Sequence, residues 1–174
     1  MIKSHANRTL IVVSIAIILC FSGGCRVVYS DDHIKAEARF KQIIEIIKDK
    51  DKDALESIFS IQALNEAEDL ELRMDYLFEF MQGDVESWEP ISRGSAGEHI
   101  NNGSRTKWSG SWYYVNTDNQ KYLLFFTECV IDTDNPDNVG LYMLQLIKAE
   151  DRDTEFDGGG PNTRCAGIYM PKDE

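Results

Sequence analysis

Residues that could carry out chemistry are few in this 174-residue chain. It has three histidines, and the two beyond the N-terminal segment, His33 and His99, are not spaced as a metal pair or a catalytic triad. The segment Ser109-Gly110-Ser111 lacks the G-x-S-x-G pattern of a nucleophile elbow. The glycines of Gly158-Gly159-Gly160 precede a proline rather than a helix, unlike a phosphate-binding loop. We therefore expect no catalytic residue, no metal site and no cofactor.

Two acidic loops have the composition of calcium ligands. EDRDTEFDGGG alternates like the start of an EF-hand, but Phe156 occupies the sixth position, where that loop needs glycine. In DTDNPDN, Asp132, Asp134 and Asp137 could converge around a cation. Asn and Asp are also the residues that a hairpin turn selects, so we prefer the turn interpretation and keep calcium as the alternative.

Aromatic residues are concentrated on the first predicted strands. Trp108, Trp112 and Tyr114 share one parity, which points them to one face of a sheet. A curved sheet with such rings on its concave face could hold an apolar or sugar-like ligand. Core packing and cross-strand pairing are the preferred alternative. If a cavity is present, these three residues are the candidates for its walls.

Three helical patterns precede the strands. In EARFKQIIEIIKDKDK, apolar residues recur at i, i+3, i+4 and i+7, which predicts an amphipathic helix. A capping box at Asp53 and Glu56 predicts a second helix that runs to about Glu66. The stripe in DLELRMDYLFEFMQGD predicts a third helix, with Gly83 just beyond its end.

From Val85 onward the pattern changes to that of strands, and YLLFF at residues 122–126 predicts a strand buried on both faces. Turn residues separate the strands at Asn102-Gly103, at Thr117-Asp118-Asn119 and across residues 134–138. Short loops between consecutive strands favour antiparallel pairing. The expected fold is α+β, with three N-terminal helices packed on one face of a curved antiparallel sheet.

The N-terminus predicts export. Lys3 and Arg8 precede an uncharged run at residues 10–21, which is the length of a signal-peptide core and shorter than the roughly 20 residues of a membrane span. Ser22-Gly23-Gly24-Cys25 resembles a bacterial lipobox, in which the cysteine receives a diacylglyceryl group, although that pattern usually has Leu where Ser22 stands. We expect lipidation at Cys25, with an uncleaved anchor and simple cleavage as alternatives.

These boundaries divide the chain into a signal peptide at residues 1–24, a tether at 25–32 and a single domain at 33–174. Removing the signal peptide takes the formal net charge from −12 to −14, because Lys3 and Arg8 are its only charged residues. Nucleic acid is therefore not an expected partner. Attachment to the membrane has to be covalent or hydrophobic, since the acidic domain repels anionic headgroups.

Export leaves two further thiols to explain. Cys129 and Cys165 would be the only pair in a secreted domain, where oxidation is permitted. Both lie in predicted strands, and a disulfide requires those strands to be neighbours. The alternative is that each is a small buried apolar residue.

The order of elements, and the phrase IIKDKDKDALESIFS in particular, resembles nuclear-transport-factor-2-like domains, also called the cystatin-like roll. The segments DYLFEFMQGDVESWE, TDNPDNVGLYMLQLIKAEDRDT and AGIYMP resemble a family of uncharacterised lipoproteins of Gram-positive bacteria, catalogued as a domain of unknown function. The resemblance implies a curved sheet that encloses a cavity with the helices. It implies no activity.

Three functions are compatible with these observations. We expect a lipid-anchored extracytoplasmic module on the cell membrane that binds an unknown small molecule or envelope protein without catalysis. The first alternative is an enzyme of the isomerase or dehydratase kind, which needs an ionisable residue with a shifted pKa in the cavity. The second is a structural or inhibitory partner of another envelope protein, recognisable by an exposed apolar patch.

Overall fold

The structure is a computed structural model that describes residues 31–171, except for the side chains of residues 93–96. The predicted signal peptide (1–24) and the predicted lipidation site, Cys25, lie outside the described residues. Among the described residues, no helix is both long enough and apolar enough to cross a bilayer.

Four helices precede the sheet, one more than the sequence predicts. They are α1 (Asp31–Asp49), α2 (Lys52–Ile58), α3 (Ile61–Glu66) and α4 (Leu70–Phe80). Helix α1 begins inside the predicted tether, so residues 31 and 32 belong to the folded part. Its buried apolar positions include Phe40, Ile43, Ile44 and Ile47, as the sequence period predicts.

The prediction of one helix across residues 53–66 is wrong because Phe59 and Ser60 are extended. The amide of Ser60 donates to the carbonyl of Leu141, 2.8 Å away on a strand, while its hydroxyl accepts from the amide of Ala63 and so caps α3. The cap of α2 is Asp51, whose carboxylate accepts from the amide of Ala54 at 2.9 Å, rather than the predicted Asp53.

Five strands form one open, curved sheet in the order β1-β2-β3-β4-β5. They are β1 (Val85–Asn101), β2 (Ser104–Thr117), β3 (Lys121–Asp132), β4 (Gly140–Lys148) and β5 (Gly167–Ile168). The first four pair antiparallel, and β5 pairs parallel to β4 after a short helix, α5 (Arg152–Glu155). The predicted α+β class is confirmed.

The predicted turns lie between the strands as expected. Asn102 and Gly103 both have positive φ, of 48° and 89°, which the tight turn between β1 and β2 requires. The other two turns lie between β2 and β3 and between β3 and β4. Because the loops are short, consecutive strands are neighbours.

The sheet has apolar side chains on both faces. Helix-facing residues include Tyr113, Leu124 and Phe126, which are fully buried in the cluster that α1 to α4 cover. Phe40 of α1 stacks on Tyr113, with ring centroids 4.1 Å apart. Rings therefore fill the central space between the helices and the sheet. The opposite face carries Phe125, which contacts the ring of Phe156 from the C-terminal segment.

Candidate functional site

The face of the sheet away from the four helices carries a cavity of about 270 Å³, here called the aromatic cleft. Its walls combine aromatic side chains, glycines and a few other residues: Gly97, Trp108, Ser109, Gly110, Trp112, Phe125, Thr127, Tyr142, Met143, Gly158, Gly159 and Arg164. They come from β1 to β4 and from the segment between α5 and β5.

The spacing on β2 brings two indoles to this cleft. Trp108 and Trp112 are four residues apart on one strand, so their side chains leave the same face of the sheet. Both are only partly buried, whereas the intervening odd-numbered residues, Ser109 and Ser111, are buried. In the strand register Gly97 lies opposite Trp108, and a Cβ at Gly97 would meet nothing within 4 Å. The absence of a side chain there leaves room beside the Trp108 ring.

Ring contacts hold the two indoles in place. Trp108 meets Tyr142 edge to face, with centroids 5.7 Å apart and planes at 85°. The Trp112 ring contacts the rings of Phe125 and Phe156, with centroid separations of 6.0 Å and 5.9 Å. Such arrangements are favourable for aromatic pairs. The cleft is therefore formed before any ligand arrives.

A glycine loop closes one side of the cleft. Gly159 has a φ of +77°, and a Cβ there would lie 2.9 Å from Cε1 of Phe125, so only glycine allows this close approach. Asp157 organises the loop, because its carboxylate accepts from the amides of Gly160 at 2.8 Å and Asn162 at 3.0 Å and from the hydroxyl of Thr163. Those hydrogen bonds, above all that of Thr163, hold the pKa of Asp157 below its ordinary value.

Arg164 is the one charged residue among those that line the aromatic cleft. Its side chain is exposed, and the guanidinium carbon lies 5.8 Å from the centroid of the Tyr142 ring. The Tyr142 hydroxyl donates to Glu66 at 2.8 Å. Burial, together with Glu66, raises the pKa of Tyr142. A cation at the rim of an aromatic cavity can attract an anionic or polar group of a ligand.

The three candidate wall residues do not share one cavity. Trp108 and Trp112 line the aromatic cleft, but Tyr114 lines a separate cleft beside Lys121 and Glu150. The Lys121 ammonium lies 4.1 Å from the centroid of the Tyr114 ring, and Arg152 donates to the Tyr114 hydroxyl at 3.1 Å. The shared parity correctly predicted that the three side chains leave the same face of the sheet. It could not predict that residues from other segments separate this face into two clefts.

Sequence reasoning missed Tyr142, Phe125 and Arg164 as wall residues. Phe125 was recognised only as part of a doubly buried strand. Tyr142 lies on β4, two strands away from β2, and Arg164 lies outside any helix or strand. No spacing in the sequence therefore connects either residue with the two indoles on β2. The glycine cluster was the one available indication, because Gly159 has to approach a ring closely.

A larger cavity of about 490 Å³, the α1 groove, lies between α1 and the ends of β3 and β4. Three of its ionisable side chains, Asp32, Arg39 and Glu128, form ion pairs. Arg39 donates to Glu128 at 3.0 Å. The Lys107 ammonium donates to the Asp32 carboxylate at 2.6 Å, and this hydrogen bond lowers the pKa of Asp32. Side chains paired in this way pack the helix against the sheet, so the groove is the weaker candidate for a ligand site.

The second acidic loop forms a hydrogen-bonded turn. The Asp132 carboxylate accepts from the amides of Asn135 at 2.9 Å and Asp134 at 3.0 Å and from the side chain of Asn138 at 2.8 Å. These bonds, first that of Asn135, lower the pKa of Asp132. Hydrogen bonds within the turn therefore engage both carboxylate oxygens of Asp132. Within residues 31–171, no three His, Cys, Asp or Glu residues converge as metal ligands.

The remaining candidate residues lie apart from the cleft walls. Cys129 is buried in β3 and Cys165 is partly buried just before β5, and both are free thiols. The prediction that Cys165 lies in a strand is wrong, since β5 begins at Gly167. Burial raises the pKa of both thiols. His99 is exposed on β1, and His33 lies in the first turn of α1.

Comparison with known proteins gives a family without an assigned activity. Residues 42–149, more than half of the chain, match the family described as Domain of unknown function (DUF5104). That stretch extends from α1 to the end of β4 and contains Trp108, Trp112 and Tyr142 but not Arg164. No curated protein matches the chain.

Proposed function

We propose that this chain, which belongs to the DUF5104 family, is a lipid-anchored extracytoplasmic module that binds a small molecule in the aromatic cleft without catalysis. We also infer that its α+β fold is a nuclear-transport-factor-2-like roll and that it is a lipoprotein of a Gram-positive bacterium. The order of elements, four helices followed by a curved sheet, supports the roll.

One observation carries the binding proposal: two partly exposed indoles, Trp108 and Trp112, line the same preformed cavity. Large aromatic side chains are normally buried or scattered singly on a surface. Two of them in a cleft of about 270 Å³ offer stacking surface to one ring-sized ligand. The rings already contact Tyr142, Phe125 and Phe156, so binding does not have to order them.

The same cleft supports binding over an isomerase or dehydratase activity. Such an enzyme needs a general acid or base beside the substrate, with a pKa tuned toward neutrality. No carboxylate or histidine is among the described residues that line the aromatic cleft. Burial and the nearby Asp151 raise the pKa of Glu155, but Glu155 is not part of those walls.

A short tether supports the anchor. Five residues separate Cys25 from the start of α1 at Asp31. At most about 3.6 Å per residue, a lipid on Cys25 would keep the start of α1 within roughly 20 Å of the membrane surface. The folded domain would therefore begin close to the outer face of the membrane.

Metabolic labelling with a tagged fatty acid tests the anchor. Wild-type protein and the Cys20→Ala variant are expected to carry the label, and Cys25→Ala is expected to lose it and to leave the membrane fraction. The two variants differ only in which thiol remains. A labelled Cys25→Ala protein would refute lipidation at that residue.

Indole NMR tests the cleft. The chain has three tryptophans, and Trp88 lies outside the cleft walls, near Phe40. In ¹⁵N-tryptophan-labelled protein, a bound ring-sized ligand is expected to shift the indole signals of Trp108 and Trp112 and to leave that of Trp88 in place. Galactose, galacturonate, benzyl alcohol and benzoate serve as probes. The proposal fails if none of them shifts the two signals at millimolar concentration, or if all three signals shift alike.

A further inference from the structure

The charge at the rim indicates which ring-sized ligands the aromatic cleft takes. Resting on the proposed function, we infer that the ligand is a single six-membered ring that bears a carboxylate, bound with one apolar face on the indoles and its carboxylate at Arg164. An acidic sugar and an aromatic acid share this chemistry.

Arg164 is not engaged by a carboxylate, and the same holds for Arg73 and Arg152, whose guanidinium groups donate to the Ile168 carbonyl and the Tyr114 hydroxyl. Arg39 and Arg105 each place Nε within 3.0 Å of a glutamate oxygen. No aspartate or glutamate oxygen of the described residues lies within 4.0 Å of the Arg164 guanidinium. What distinguishes Arg164 from these arginines is its place among the walls of the aromatic cleft. A guanidinium has five N–H donors, and that of Arg164 interacts with the Tyr142 side chain at the edge of the cleft.

Glu66 competes for Arg164, with which it interacts through space. Glu66 already accepts hydrogen bonds from the side chains of Gln62, at 2.7 Å, and Tyr142, at 2.8 Å. Those bonds hold its pKa below the ordinary value, so it remains a carboxylate near neutrality. A ligand carboxylate is therefore repelled by Glu66 at the rim of the cleft. No acidic residue is among the described residues that line the walls.

The walls favour a single ring without large substituents. Trp108 and Tyr142 stand nearly perpendicular, at 85°, and so form two sides of a corner. Gly97 and Gly158 leave open space where a Cβ would otherwise project. A volume of about 270 Å³ lies just below the range of about 300–1,000 Å³ typical of drug-sized ligands, so one ring is the appropriate size.

Matched probes separate charge from shape. Benzoate and benzyl alcohol differ in the carboxylate, and so do galacturonate and galactose. In full-length ¹⁵N-tryptophan-labelled protein in detergent micelles, we expect at least one acid to bind more tightly than its neutral partner. The acid that does so identifies the source, aromatic or saccharide. The signals of Trp108 and Trp112 report the affinity.

Two variants with the same net charge test the role of the residue. Arg164→Gln is expected to weaken binding of the favoured acid by about three- to tenfold and to leave the neutral probe unchanged, as for loss of one partly exposed ionic contact. Arg105→Gln removes an equal charge at an exposed position outside the cleft walls and is expected to change neither. Arg164→Lys should restore part of the loss.

The outcomes distinguish this inference from the proposed function. If neutral and acidic probes bind equally, or if Arg164→Gln and Arg105→Gln have equal effects, the carboxylate inference is refuted and cleft binding stands. If no probe shifts the Trp108 and Trp112 signals, the proposed function fails and the inference fails with it.

Discussion

Replacing two neighbouring aromatic residues of β2 measures how open the aromatic cleft is. Tyr113 is fully buried and stacks on Phe40, whereas Trp112 is partly exposed on the opposite face. Both changes to Ala remove roughly 100 Å² of buried apolar surface, worth about 2.5 kcal/mol at about 25 cal/mol per Å². The two sites differ in what fills the vacated space.

At Tyr113 the space remains a closed cavity. A void of about 100 Å³ adds roughly 2.4 kcal/mol, which brings the expected loss for Tyr113→Ala to about 5 kcal/mol. At Trp112 the space joins an existing cleft that water can enter, so Trp112→Ala should cost only about 2.5 kcal/mol. Urea unfolding followed by far-ultraviolet circular dichroism measures both, since fluorescence would be altered by the loss of a tryptophan.

The order of the two losses is the decisive result. If Trp112→Ala destabilises the protein as much as Tyr113→Ala, Trp112 is an ordinary core residue and the cleft is not open. If Tyr113→Ala fails to fold, the pair Tyr113→Leu and Trp112→Leu should show the same order with smaller values. A Trp112→Ala protein of reduced stability that still binds the favoured probe normally would contradict the assignment of Trp112 to the ligand site.

Three further predictions concern stability and the thiols. Gly140→Ala should lower the melting temperature more than Gly103→Ala. Both glycines have positive φ, but only a Cβ at Gly140 would meet backbone atoms, the nearest at 2.8 Å. Equal losses for the two variants would refute the steric argument. The pKa of Glu155 is raised above about 4.5, so the folded state binds the extra proton and its stability falls as pH rises through the folded pKa. Glu155→Gln should therefore stabilise the protein at pH 7 and have little effect below about pH 4, as thermal melts at the two pH values would show; a pH-independent effect would contradict this. Alkylation of unreduced, unfolded protein should label both Cys129 and Cys165, and neither would be labelled if they formed a disulfide.

Several local features could be predicted from the sequence because short-range spacing determines them. The apolar period of α1 predicted its buried face, and Asn102-Gly103 predicted a turn, in which the structure gives both residues positive φ. The acidic loop at Asp132 was predicted to be a turn, and its carboxylate does accept the amides two and three residues ahead. Lipidation at Cys25 remains a prediction, since that residue lies outside the described part of the chain.

Other features depend on partners distant in sequence. The break between α2 and α3 arises because Ser60 donates to Leu141, 81 residues further along the chain, while the local pattern favours one continuous helix. The helix count and the predicted cap of α2 were wrong for related reasons, since a capping box describes only residues that are close in sequence. Cys165 was placed in a strand because apolar neighbours alone do not show where pairing begins.

The candidate site shows the same division. Sequence parity by itself placed Trp108 and Trp112 on one face, because successive side chains of any strand alternate. Tyr114 has the same parity, yet Lys121 and Arg152 occupy its surroundings and separate it from the cleft. Only the tertiary structure brought Tyr142 and Arg164 to the indoles, since strand register and the path of the C-terminal segment are set by long-range packing that no local spacing encodes.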